Sequence, residues 1–420
     1  EVADPSDFEV DLKELTNIFT DGIRDLVFEG ATSYPPGQRP VMVQLGGQLA
    51  AGKSTAMADI QARHGVHVVE LKPDTFRPFH PQYARIMREH PHEAVALTNQ
   101  AMYAWCDMVR DYAHQNGYGL IVEGTFSSPS YLVEYAEQMA QPVTREVKGV
   151  AEPVHDGFAN EIVVVATPYE RSALDMVGRY VGQPPGKGRW ADIKGHDFSF
   201  HQLPDSVEIL ENTPQVDRII ITDRSGATRY LNERGADGAW QRTPEAAQVL
   251  REARSEGLLP FDAKQAQGWL ESYWKYSAEL LDRGELDAST APTMLSLCST
   301  ADRIAAVAYA GDAYRLSEHA RWQSVQKMVF MAAERGAPNA DLPRHPRDLL
   351  EADDAQRAQY IAAFKAVGKT ASGAAADAEE AVKRAAKGMV PPTVGPSPSS
   401  GPTAPPGRHH GRDKGPDIER

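Results

Sequence analysis

The stretch "VMVQLGGQLAAGKST", residues 41–55, constrains the fold of this chain more than any other. An apolar run of strand character leads into a loop with the spacing G-x-x-x-x-G-K-[ST]. Gly47, Gly52, Lys53 and Ser54 take the fixed places. In such a loop consecutive backbone N–H groups and the N-terminus of the next helix point at phosphates, the lysine neutralises their charge, and the Ser/Thr hydroxyl ligates Mg²⁺. The segment Gly47, Gln48, Leu49, Ala50, Ala51, Gly52, Lys53, Ser54 and Thr55 is therefore the expected nucleotide cradle, with Ser54 as a metal ligand.

The pattern on either side of the loop agrees with that demand. From 41 to about 231, short β-rich runs alternate with longer helical patterns: "VMVQL" (41–45), "VHVVEL" (66–71), "GLIVEG" (119–124), "EIVVVA" (161–166), "RIIIT" (218–222) and "TRYL" (228–231). Most are apolar throughout, as strands buried on both faces are. The expected fold class is α/β: a P-loop NTPase-type, mostly parallel sheet flanked by helices over 36–235. Residues 1–35 read as an acidic lead-in with one amphipathic helix, Leu12 to Glu29. Residues 240–370 carry helical periodicity, no strand runs and no obvious cluster of catalytic residues, which suggests a partner-binding or regulatory region or, equally, a scaffold packed on the core. From 371 to 420 an Ala-rich stretch passes into "PPTVGPSPSSGPTAPPG", a composition that favours disorder. The pair His409-His410 in that tail is assigned no role.

Composition narrows the function. A formal net charge of −14 disfavours nucleic acid and anionic membranes as partners. Cys106 and Cys298 stand far apart in apolar helical patterns, which argues against a disulfide framework. No run of about 18 apolar residues is present, and "EVADPSDFEVDL" is acidic where an export signal is basic and then apolar. The expected setting is cytoplasmic.

A P-loop says nucleotide, not reaction. In open α/β sheets the working residues sit at the carboxyl ends of strands. The second run ends in "KPDTFRPFHPQY", which places Asp74 twenty-one residues after Lys53. A carboxylate there can take a proton from an acceptor hydroxyl, or it can simply cap the next turn; chemistry alone divides these evenly. Glu123 ends the apolar run "GLIVE", where a carboxylate needs a cation or hydroxyl to meet. The pattern "TPYE" opens the next helix, with Thr167 as expected N-cap, Pro168 at the first position and Glu170 completing a capping box.

Together, "GGQLAAGKST", "DTFRPFHPQY", "LIVEGT", "GRY" and "GRWADIKGHD" resemble the zeta toxin family, the P-loop kinases of toxin–antitoxin modules that phosphorylate UDP-N-acetylglucosamine. The resemblance covers roughly residues 40 to 232 and implies ATP and Mg²⁺ as cofactors and an antitoxin as possible partner. It implies that Asp74 is the base toward the sugar 3′-hydroxyl. Arg77 and His80 would line the sugar-nucleotide pocket, with Arg77 free to meet the diphosphate. Glu123 and Thr125 would lie near the metal and substrate, and Arg179 and Arg189 would stabilise the transferring phosphoryl group. Arginine suits that task because its planar fork clamps phosphate oxygens. Alternatives are a kinase of this type acting on a dinucleotide or antibiotic hydroxyl, and a nucleotide-binding regulatory module working through the helical region.

Overall fold

The computed structural model describes residues 3–35, 38–90 and 93–368. The expectations for the 371–420 tail, including His409-His410, lie outside the described residues. A six-stranded sheet forms the centre of the α/β part. Its members are β1 (Val41–Gly46), β2 (Val68–Leu71), β3 (Gly119–Gly124), β6 (Ala159–Ala166), β7 (Val216–Asp223) and β8 (Thr228–Glu233). They lie in the order β2-β3-β1-β6-β7-β8. All pairings are parallel except the last, β7 with β8. Every residue of β1 is buried, which explains the lack of alternation in its sequence. β2 starts two residues later than the apolar pattern suggests, because Gly65–His67 forms a 3₁₀ turn.

The sequence pattern does not reveal one pair of strands. β4 (Val143–Val147) and β5 (Val150–His155) form a separate antiparallel hairpin, exposed over most of its length. Without a buried face it has no apolar alternation to betray it. Its one signal is the two-residue turn Lys148-Gly149, with φ of 53° and 79°, the positive pair that tight hairpin turns demand.

Register places the site. Within the sheet, Leu45 stands beside Glu123 and Gly46 beside Gly124, so the P-loop leaves the sheet next to the end of β3. Leu71 pairs with Val122, so the chain leaving β2 enters the same edge from the other side of β3. Gly46 has no alternative residue: an added Cβ would lie 2.5 Å from the ring of Phe126. Phe126 itself is buried in a left-handed conformation, φ 58°.

The N-terminal helix runs through Leu12–Ile18, a π turn at Phe19–Ile23, and Arg24–Phe28. It packs on the helix Asn99–Asn116, where the Trp105 indole N–H donates to the Leu15 carbonyl at 3.1 Å. Cys106 lies on that long helix and Cys298 on a helix of the C-terminal region; both are buried free thiols. Burial pushes their pKa up to about 12 and about 11 respectively.

After residue 240 the architecture is helical, as the periodicity implies, but it is not a separate body. The helix Ala246–Ala253 buries Ala246 and Leu250 in the same cluster as Ile219 and Ile221 of β7 and Leu203 of the helix Ile193–Glu211. The helices Ala263–Asp282, Ala291–Ala308, Ala313–Glu334 and Asp354–Gly368 share one core with Ala173, Leu174, Met176, Val177 and Val181 of the helix Tyr169–Val181. Among the described residues no helix is long and apolar enough to cross a membrane.

Candidate active site

The P-loop bends as its sequence requires. Gly52 has φ 84°, and Ala50 also takes a left-handed conformation at φ 56°. The bend is held from below by buried polar groups. The Gln48 amide N–H donates to the Thr167 carbonyl at 2.6 Å and to the Ser172 hydroxyl at 3.2 Å. That hydroxyl lies 2.8 Å from His196 Nε2, and the Thr167 hydroxyl donates to the Ala51 carbonyl at 2.6 Å. The Gln48 side chain is therefore committed to the fold. Burial lowers the His196 pKa from 6.5 to about 4, so the ring is neutral and serves as an uncharged strut.

Thr167 corrects the expected capping box. Its hydroxyl supports the P-loop rather than capping; Pro168 precedes the helix Tyr169–Val181 without a side-chain cap, and Glu170 pairs with Arg303 at 3.1 Å.

Lys53 ends the loop. Its ammonium donates to the Gly47 carbonyl at 3.0 Å and lies 3.7 Å from Glu123 Oε1. Burial lowers its pKa; Glu123 opposes that shift, Arg179 adds to it, and Asp74 opposes it. Groups from the P-loop, the ends of β2 and β3, and the last turn of Tyr169–Val181 thus act on one ammonium. Arg179 is exposed and has no ion-pair partner among the described residues, unlike an ordinary surface arginine of an acidic protein.

Asp74 sits in the 3₁₀ segment Pro73–Phe79 that follows β2. Arg189 grips it with both ends of its fork, Nη1 to Oδ1 at 2.8 Å and Nη2 to Oδ2 at 2.7 Å, and Arg77 Nε donates to Oδ1 at 2.9 Å. Burial pulls the carboxyl pKa up, but the hydrogen bonds from Arg189 and Arg77 outweigh it and hold the group at about 2. It is a carboxylate at any physiological pH.

Two residues of the same motif depart from expectation. Arg77 is buried, and its Nη1 donates to the Val95 carbonyl at 2.9 Å, Thr98 Oγ1 at 2.7 Å and Asn99 Oδ1 at 3.0 Å. It is not free to meet a diphosphate; it positions Asp74. His80 is also buried and has both ring nitrogens engaged, Nε2 with the Phe8 carbonyl at 2.8 Å and Nδ1 with the Gln82 N–H at 3.1 Å. It fastens the N-terminal segment beneath the Asp74 turn and presents nothing to a pocket. Thr125 lies past β3, its hydroxyl 2.7 Å from that of Ser127.

Arg224 was not signalled by any motif. It follows β7, and its guanidinium lies over the P-loop: a Cβ on Gly52 would stand 3.0 Å from Nε and 3.3 Å from Cζ. It is paired with Asp175 of the helix that carries Arg179. The one clue in the sequence is an arginine directly after the strand end "RIIITD".

Ser54 is exposed at the start of the helix Ser54–His64, and Glu123 is one-third exposed. A hydroxyl and a carboxylate are hard oxygen donors of the kind Mg²⁺ takes. Among the described residues no group of three His, Cys, Asp or Glu side chains could hold a metal. Magnesium needs none, because it keeps waters and phosphate oxygens in most of its positions. The residues present fit the ion.

A mostly parallel sheet with a P-loop on a central strand, a carboxylate on the neighbouring strand end and arginines on a flanking helix and loop defines a P-loop phosphotransferase architecture. The zeta toxin family model matches residues 24–235, and the chain belongs to that family. It is similar to toxin PezT of Streptococcus pneumoniae, 26% identical over 218 residues that cover 51% of this chain and 78% of PezT. It is also similar to toxin zeta of Streptococcus pyogenes, 22% identical over 221 residues covering 52% of this chain and 71% of the relative. Among solved structures, one from the PezAT chromosomal toxin–antitoxin system of Streptococcus pneumoniae matches with a TM-score of 0.52 at 22% identity. It covers 64% of this chain and 98% of its own, which supports the fold.

Proposed function

We propose that this protein is a toxin that transfers the γ-phosphate of ATP to the 3′-hydroxyl of UDP-N-acetylglucosamine in the cytoplasm. The observation that carries the reading is the convergence of Asp74, Glu123 and Arg179 on Lys53, with Arg189 paired to Asp74. A nucleotide switch has no use for a carboxylate opposite the phosphate cradle; a hydroxyl kinase does.

In this reading the backbone of Gly47 to Thr55 cradles the donor phosphates and Lys53 offsets their charge. Bound Mg²⁺, held by Ser54 with Glu123 nearby, would supply charge neutralisation at the phosphate oxygens. Asp74 accepts the proton of the acceptor hydroxyl as its oxygen bonds to the γ-phosphorus and the bond to the β-phosphate oxygen breaks, releasing ADP. While Arg189 grips Asp74, the carboxylate is a feeble base. Transfer of that guanidinium from Asp74 to the phosphoryl group would strengthen the base and deliver a planar fork to the developing charge. Arg77 stays behind and keeps Asp74 oriented.

The names of the relatives, toxin PezT and toxin zeta, support the toxin reading, and the PezAT system supports an antitoxin as partner. The test is mass spectrometry after incubation with ATP, Mg²⁺ and UDP-N-acetylglucosamine. One added phosphate on the sugar nucleotide is expected, lost in Asp74→Asn. Consumption of ATP with the phosphate on a dinucleotide or another alcohol would remove this substrate and leave the kinase.

A further inference from the structure

Arg189 reaches Asp74 from an unpromising piece of chain. The segment "GQPPGKGR", residues 182–189, is rich in Gly and Pro, and 182–187 are exposed. Such a segment has no secondary structure to fix it, and ordering it costs entropy that outside contacts must repay. Those contacts come from the end of the helix Ala263–Asp282 and the turn after it. At the start of the segment Arg283 donates through Nη1 to the Gln183 carbonyl at 2.8 Å and through Nη2 to the Val181 carbonyl. At its middle the Gly186 N–H donates to Glu285 Oε1 at 3.1 Å. Near Arg189 the Trp190 ring meets Tyr180 edge-to-face at 5.0 Å, and Gly188 lies so close that a Cβ would stand 2.9 Å from the Tyr180 ring.

These three anchors are one knot. Burial, and then the charge of the neighbouring Glu285, push the Tyr180 pKa up to about 12, and the second Glu285 oxygen lies 4.0 Å from Arg283 Nη1. The turn that carries it is fixed in turn by Asn339, which accepts from the Leu286 N–H at 3.2 Å and donates to the Leu286 carbonyl at 2.7 Å. The helix bearing Arg179 is held at the same level: a Cβ on Gly178 would stand 2.7 Å from the Tyr276 hydroxyl. Both arginines of the site therefore take their positions from the helical region.

We infer that Arg283 and Glu285 are positioning residues for phosphoryl transfer, acting through the 182–189 segment to hold Arg189 in reach of Asp74 and of the phosphate. The inference rests on the kinase reading for its activity readout and on the segment itself for its structural one. Neither residue touches substrate. Misplacing a charged group by about 1 Å can cost on the order of a hundredfold in rate without disturbing nucleotide binding.

The experiment uses the full chain with Arg283→Ala, Glu285→Ala and the conservative Arg283→Lys. ATP consumption is followed with and without UDP-N-acetylglucosamine, and amide hydrogen exchange is followed by peptide. Both alanine variants are expected to lose roughly ten- to a hundredfold in kcat, with the KM for ATP changed less than about twofold. Exchange should accelerate in 182–190 and stay as in the wild type in the P-loop helix 54–64. Arg283→Lys, which can still reach one carbonyl, should recover part of the rate. If the segment loosens and kcat holds, or if exchange in 182–190 is unchanged, the inference is wrong. Loss of rate together with faster exchange across the whole chain would make the role one of general stability and overturn it too. A wild type that consumes ATP but never phosphorylates the sugar nucleotide refutes the substrate, while the ratio of variant to wild-type ATP consumption still decides on the brace.

Discussion

His196 is buried with its Nε2 on Ser172, two steps from the Gln48 amide that shapes the P-loop. Replacing it with Gln keeps a polar end near Ser172 and removes the titration. The ring's pKa lies at about 4 in the folded protein against 6.5 in the open chain, lowered by burial and then by the positive charge of Arg254 and His201, with Asp197 opposing. The rings of Tyr169 and Phe200 complete its surroundings. Because the folded pKa is the lower one, the unfolded chain binds the extra proton between pH 6.5 and pH 4. Stability is then fully present above pH 6.5 and drains as pH falls toward 4. At about 1.4 kcal/mol per unit, the complete loss is on the order of 3 kcal/mol, with about 2 kcal/mol gone by pH 5. Urea unfolding followed by tryptophan fluorescence, at steps from pH 7.5 to pH 5, measures it for wild type and variant. Other histidines titrate in both proteins and cancel in the difference. The stability advantage of the wild type should shrink by about 2 kcal/mol over that range. A difference that stays constant with pH would mean that the ring is not held neutral, and the account of the P-loop support would fail.

Four further outcomes follow from the site and its supports. Lys53→Ala should abolish phosphoryl transfer with the far-ultraviolet spectrum and unfolding midpoint nearly unchanged, since the ammonium works on ligand charge; turnover near the wild-type rate would take the P-loop out of the mechanism. Asp74→Asn should lower kcat by roughly 10²–10⁴-fold with ATP affinity, measured by calorimetry, little altered; collapse of ATP binding would make Asp74 a metal or structural residue. Arg179→Lys should lose almost as much kcat as Arg179→Ala, because a point charge cannot replace the fork, and full activity in the lysine variant would return Arg179 to the surface. Truncation at Gly235 should give insoluble or inactive protein, since it strips the cover from Ala173, Leu174, Met176, Val177 and Val181; a soluble, fully active fragment would show that the helical region is dispensable.

The sheet was readable because its strands are buried on both faces, and the P-loop because its chemistry fixes four positions at once. Lys53 stands out through the loop motif and Glu123 as a lone carboxylate ending an apolar strand, whereas Asp74 is open between base and cap on chemistry alone and Arg189 is marked only by the resemblance to the zeta toxin family. The neighbours of Asp74 were harder. "DTFRPFHP" tells that Arg77 and His80 lie close by, but not that Val95, Thr98 and Asn99 would use the guanidinium or that Phe8 would take the imidazole N–H. Those acceptors come from distant parts of the chain, and a local pattern carries no trace of them. Thr167 is similar: cap residues and loop supports use the same hydroxyl, and only the Ala51 carbonyl decides between them. The helical periodicity after 240 announces an apolar face without saying what it covers, so the shared core with Tyr169–Val181 emerged only in three dimensions.

The two buried thiols have a use that the chain did not need to arrange. Cys106 lies in the cluster formed by the N-terminal segment and the long helix, whereas Cys298 lies in the cluster that unites the helical region with the arginine-bearing helix. Each is silent toward alkylating reagents while its surroundings stay closed, because an elevated pKa and a closed shell both withhold the thiolate. Cys298 borders a cavity lined also by Asp302, His319 and Gln323, whereas Cys106 lies inside its cluster and waits for that cluster to open, so the two labelling rates are separate clocks in one molecule. Equal rates would mean that both sites yield to one cooperative opening; a faster Cys298 would mean that reagent enters the helical region through its cavity while the cluster under the N-terminal segment stays shut.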